Sequence, residues 1–79
     1  MVKVRVDLDK LRGLRAYKGM TKHKLSRLMG YKTDAYNYLE SGRVDFTIRR
    51  LNQVCELLEI DPRDILVFEE VSDEPHTSE

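Results

Sequence analysis

Residues 21–42 read TKHKLSRLMGYKTDAYNYLESG, a string whose plainest reading is two short helices meeting at a glycine. Thr21 can cap the first helix by accepting from a backbone N–H two or three residues on. Leu25, Leu28 and Met29 form its apolar side before Gly30 stops it. Thr33 or Asp34 then caps a second helix running to about Glu40, with Ala35, Tyr36 and Leu39 inward and Ser41 and Gly42 at its end. Glycine suits residue 30 because a left-handed backbone costs other residues about 1 kcal/mol, and a Cβ there would crowd the following helix. Such a corner lets the second helix lie across the first and face outward.

On the N-terminal side, Val2, Val4 and Val6 alternate with Lys3, Arg5 and Asp7, which predicts a half-buried strand over residues 2–6. Leu8, Leu11, Leu14 and Tyr17 then recur every three residues, with Lys10, Arg12, Arg15 and Lys18 between them. That pattern predicts a helix with a basic outer face ending at Gly19. On the C-terminal side, Thr47 caps a helix in which Ile48, Leu51, Val54, Cys55 and Leu58 trace one stripe at 3.6 spacing. Asp61-Pro62 pairs an N-cap with a proline at the first helical position and starts one more short turn to about Leu66. Val67, Phe68 and Val71 beside Glu69 and Glu70 predict a second strand over 67–71, whose obvious partner is the first. Residues 72–79 hold no apolar side chain to anchor them and are expected to form a disordered acidic tail, leaving 1–71 as the folded domain.

Seventy-nine residues suffice for one core and no second domain. The balance of 14 Lys+Arg against 14 Asp+Glu hides a sorting of the signs. Residues 1–50 hold 13 basic and 5 acidic side chains, whereas residues 51–79 hold 1 and 9. That asymmetry points to a nucleic-acid or membrane contact for the basic part, or to two halves that attract each other. One cysteine and two histidines exclude an internal disulfide and a four-ligand zinc site, and they fit a reducing cytoplasm. No apolar run approaches the roughly 18 residues of a membrane span. Cys55 lies on an apolar stripe and reads as a small core residue, as do Met20 and Met29, while His23 and His76 read as surface residues. Glu69 and Glu70 are adjacent on a strand and face opposite ways, so they cannot share a substrate. With no nucleophile triad and no phosphate-cradling glycine loop, neither an enzyme nor a cofactor is expected.

From Leu11 to Leu66 the chain resembles the Cro/CI-type helix-turn-helix domain, the XRE family, without a gap. The residues that carry the resemblance are Lys18-Gly19-Met20-Thr21, Leu25, Leu28-Met29-Gly30, Tyr36, Leu39-Glu40-Ser41-Gly42, Leu51, Val54-Cys55, Leu58 and Asp64-Ile65-Leu66. The N-terminal strand and Val44-Asp45-Phe46-Thr47 further resemble a subgroup of small phage and bacterial regulators with flanking short strands. Lys22 stands where members commonly carry Gln, Thr33 and Asp34 where Ser or Arg is common, and Tyr36 where a branched aliphatic is usual.

The resemblance implies a mostly α, five-helix, lambda-repressor-like domain whose third helix enters the major groove of double-stranded DNA. It implies base contacts from Lys32, Thr33, Asp34, Asn37 and Tyr38. Asn37 offers a paired donor and acceptor to adenine, Asp34 either accepts from a cytosine amino group or only caps the helix, and Lys32 reaches guanine or a phosphate. Arg15, Lys22 and Arg43 match positions that clamp the phosphate backbone, with the first N–H groups of the second helix. The function expected is a transcriptional regulator of the cytoplasm, a repressor by operator occupancy, acting as a homodimer and not at a membrane. The dimer contact expected is either the edge of strand 67–71 or an exchanged N-terminal strand. The rival reading is a protein-interaction module or antitoxin component that keeps the fold and takes a protein partner through the C-terminal strand or acidic tail.

Overall fold

The computed structural model describes residues 1–71; the tail expected over 72–79 lies outside them. The chain begins with strand β1, Val2–Val6, as the valine alternation requires. Asp7 then accepts from the Lys10 N–H at 3.1 Å and caps α1, Leu8–Tyr17. Helix α2, Lys22–Leu28, is capped by Thr21, whose hydroxyl accepts from Lys24 N–H at 3.0 Å. Helix α3 spans Tyr36–Glu40. Helix α4, Ile48–Leu58, is capped by Thr47 at 3.1 Å from Arg50 N. Strand β2, Leu66–Glu70, begins one residue earlier than expected and pairs antiparallel with β1, Val4 opposite Phe68 and Val6 opposite Leu66.

There are four α-helices among the described residues, not five. The segment after Asp61 makes only a 3-10 turn, Pro62–Asp64. Its Asp61 carboxylate accepts from Arg63 N at 2.9 Å, but Ile65 must at once turn into the core, and its carbonyl accepts from Asp7 N at 2.7 Å where β1 meets α1. Three residues are all that the geometry leaves. Two further expectations change. Thr33 and Asp34 do not cap α3, which starts later, at Tyr36, with Ala35 before it and no side-chain cap. Gly30 does adopt a positive φ of 91°, yet a Cβ there would meet nothing within 4 Å, so its role is conformational and not steric.

The core is Leu11 from α1, Leu25 and Met29 from α2, Tyr36 and Leu39 from α3, Leu51, Val54, Cys55 and Leu58 from α4, with Ile65 closing it. Tyr17 is exposed although it continues the three-residue repeat of α1. A helix turns about 100° per residue, so a strict repeat of three drifts roughly 60° per step and leaves the inner face. The position four after Leu11 stays on that face, and it is Arg15. Ile48, first on the α4 stripe, is 73% exposed. Burial pushes the Cys55 thiol up, so it stays protonated and unreactive.

The glycines separate two outcomes. Gly13 lies inside α1 with free space around it, whereas Gly42 has φ +84° and an added Cβ would meet Leu8 Cδ1 at 3.2 Å. Gly13→Ala is expected to stabilise the domain by about 0.5–1 kcal/mol, and Gly42→Ala to destabilise it by about 1 kcal/mol or more, read from urea midpoints.

Candidate nucleic-acid interface

Helix α3 has five residues, fewer than two turns, and a helix that short does not hold its shape in water unaided. Its start is fixed by Ser26, a buried residue of α2, whose Oγ accepts from Tyr36 N at 3.1 Å. In the first turn of α3, Asn37 N and Tyr38 N donate to the carbonyls of Asp34 and Ala35, a tight three-residue pattern that leads the chain into the helix. The carbonyl of Met29, at the glycine corner, accepts from Arg50 Nη1 at 3.2 Å and Gln53 Nε2 at 3.3 Å, both from α4. The Arg50 guanidinium also stacks 4.4 Å from the centre of the Tyr31 ring.

The end of α3 is fixed by charge. Glu40 is buried, and its carboxylate takes two hydrogen bonds from Arg15 of α1, Nε to Oε2 at 2.7 Å and Nη2 to Oε1 at 3.0 Å. The third arm of the same guanidinium donates to Met20 O at 2.9 Å in the turn between α1 and α2. Arg12 adds a longer contact to Glu40 at 3.7 Å. The hydrogen bond to Glu40 raises the Arg15 pKa above its ordinary value. Tyr36, packed beside the pair, has a buried hydroxyl without a hydrogen-bond partner; burial first, then the Glu40 charge, push its ionisation upward and keep it a neutral phenol.

Of the residues expected at DNA, Lys32, Thr33, Asp34 and Tyr38 are exposed around the corner and along α3. Asn37 is half-buried, and its Oδ1 is sealed from solvent with no hydrogen-bond partner. Paired contact to an adenine therefore requires its side chain to rotate, which breaks no hydrogen bond at that oxygen. The Asp34 carboxylate lies 2.8 Å from His23 Nδ1 of α2, so it neither caps α3 nor stands unaccompanied. Lys22 and Arg43 are exposed, and Arg43 rests 5.9 Å from the centre of the Tyr38 ring. Arg15, expected as a phosphate clamp, is partly buried, and its guanidinium donates to Glu40 and Met20. Its i+4 spacing from Leu11, and that of Glu40 from Tyr36, were signals for the inward pair. Ser26, Arg50, Gln53 and His23 carried no comparable signal.

The same geometry disposes of most negative charge in the basic half. Of the five carboxylates in residues 1–50, Asp7 caps α1, Asp9 pairs with Arg12 at 2.8 Å, Asp34 meets His23 and Glu40 is buried on Arg15. Of those five only Asp45 lacks such a partner, while among the described residues Lys22, Lys24, Lys32 and Arg43 stand exposed without an ion pair. The α2–α3 corner thus presents excess positive charge beside an outward helix. No helix among the described residues is long and apolar enough to cross a membrane.

The sequence model of a family described as the Cro/C1-type HTH DNA-binding domain matches residues 10–70. No curated protein and no solved structure matches the chain.

The buried pair has a sharp consequence for stability. Glu40→Ala leaves the partly buried Arg15 without its carboxylate and is expected to cost about 3 kcal/mol in urea unfolding, while Arg15→Met with Glu40→Leu recovers most of that loss. Equal losses in the single and double variants would mean that packing, not charge pairing, holds α3.

Proposed function

The chain belongs to the Cro/C1-type helix-turn-helix DNA-binding family, and from that premise we propose that it is a sequence-specific regulator of transcription in the cytoplasm. It acts as a repressor, by occupying an operator so that polymerase cannot use it, and it needs no catalysis. The observation that carries this reading is the α2–α3 corner itself: a short helix, braced at both ends, where Asp34 and Glu40 have partners and Lys22, Lys24 and Lys32 have none.

Each contact class has its own chemistry. Lys22 and Arg43 neutralise phosphates and set the register of the protein on the duplex without reading sequence. Lys32, Thr33, Asp34, Asn37 and Tyr38 meet base edges. For Asp34, the neighbouring His23 contacts one carboxylate oxygen and leaves the other for a cytosine amino group. Arg15 serves the interface indirectly, by setting the angle of α3. A unit of this size covers about one half-site, so two copies read half-sites about one helical turn apart.

Two measurements test the reading. Binding to labelled duplex is expected to fall roughly tenfold or more between about 50 and 200 mM salt, because each neutralised phosphate releases counterions; flat or undetectable binding supports the protein-interaction module instead. Asn37→Ala is expected to reduce discrimination between selected and random duplex by about 1–3 kcal/mol, whereas Arg43→Ala weakens all duplexes alike. An unchanged ratio for Asn37→Ala removes it from the reading set.

A further inference from the structure

The turn between α2 and α3 carries side chains that no helix orients. Lys32, Thr33 and Asp34 all precede α3, which begins at Tyr36. A side chain that reads a base edge needs a fixed direction, and in a turn that direction has to come from a neighbouring group. Of these three residues only Asp34 has a side-chain hydrogen bond among the described residues, at 2.8 Å to Nδ1 of His23 on α2. An ionised carboxylate can only accept, so the proton in this contact belongs to Nδ1, in the neutral ring as in the charged one.

The contact is not needed to build the corner. The first N–H groups of α3, which a carboxylate at residue 34 would otherwise cap, are already taken: Tyr36 N by Ser26 Oγ, Asn37 N by the Asp34 carbonyl and Tyr38 N by the Ala35 carbonyl. The glycine corner is held by other groups, with Arg27 Nη1 on the Tyr31 carbonyl at 3.1 Å and Arg50 and Gln53 on that of Met29. The His23 and Asp34 side chains are 63% and 48% exposed, and pairs this open to solvent add little stability. What the bond fixes is an orientation. It ties Oδ1 of Asp34 to α2, so the second oxygen keeps one direction. Released, the carboxylate would turn freely on a corner that also carries Lys22, Lys24 and Lys32, and no single direction would be preferred.

We propose that His23 is a specificity-determining residue of the interface, a positioning residue whose Nδ1–H holds Asp34 so that its other oxygen meets the amino group of one cytosine. In the major groove that amino group is the donor a cytosine offers, and a carboxylate is its matching acceptor. The inference rests on the base-reading role proposed above for Asp34. It adds that the choice of base at that position is set from α2, by a side chain that itself touches no base.

Selection of bound fragments from random duplex DNA, made with the full chain and its variants, tests it. Asp34→Ala is expected to relax the preference at one position of the selected site, a cytosine in the unaltered chain's selection, and so to identify it. His23→Ala is expected to relax that same position by about three- to tenfold and no other, with an unchanged far-ultraviolet spectrum. His23→Asn, whose side-chain N–H lies close to where Nδ1–H does, is expected to restore it. In the Asp34→Ala chain, His23→Ala is expected to change nothing further. The proposal is overturned by a preference that His23→Ala leaves intact, by a His23→Asn chain as relaxed as His23→Ala, or by an effect of His23→Ala that persists without Asp34. It is also overturned by a weakening of all duplexes alike, which would make His23 a phosphate contact or a structural residue. An unaltered chain that binds no duplex brings down the regulator reading and this inference with it, whereas a selective chain indifferent to His23→Ala brings down this inference alone.

Discussion

Glu40 is a carboxylate sealed inside a small protein, and the way its charge is met determines where α3 points. A buried ion pair adds little net stability over a hydrophobic pair of the same size, because both ions lose their water. Its effect is geometric. One guanidinium, that of Arg15, is shared between the end of α3 and the turn joining α1 to α2, so a single relative placement of three parts of the chain engages its Nε, Nη1 and Nη2 together. Ser26 does the same for the start of α3 with a neutral hydrogen bond. Between these two anchors a helix of five residues becomes a rigid projection, and α4 adds Arg50 and Gln53 behind the glycine corner.

Pairing of this kind also shapes the field outside the protein. A chain with zero formal charge would be a poor ligand for DNA if its signs were mixed. Here they are sorted along the sequence, and within the basic half four of the five carboxylates have partners, as a cap, in surface pairs or as the buried partner of Arg15. What remains unmatched around the α2–α3 corner is lysine and arginine.

Much of this could be read from residue order. Period-two valines gave β1, and Thr21 and Thr47 marked helix starts that the structure places at the same residues. The family resemblance carried the helix order and the α2–α3 corner. Other features depended on three-dimensional information. Arg15 looked like one more residue of a basic face because the three-residue leucine repeat drew attention from the i+4 position. Thr33 and Asp34 have ideal capping chemistry, but the chain uses a backbone pattern and the Ser26 hydroxyl instead, a choice set by the neighbouring helix. Glu59 ends α4 in a left-handed conformation, with φ 57°, where glycine would be expected from local preference alone. The fifth helix shrank to one turn because Ile65 is claimed by the core and Leu66 by the sheet.

The central claim is that the α2–α3 corner, and no other surface, meets the duplex. Titration of an isotopically labelled chain with duplex DNA, followed by amide chemical shifts, addresses it residue by residue. The expected result is perturbation concentrated at residues 22–24, 32–38 and 43, with the amides of 51–70 little changed. Perturbation confined to residues 51–70, or none at any DNA concentration, would contradict it.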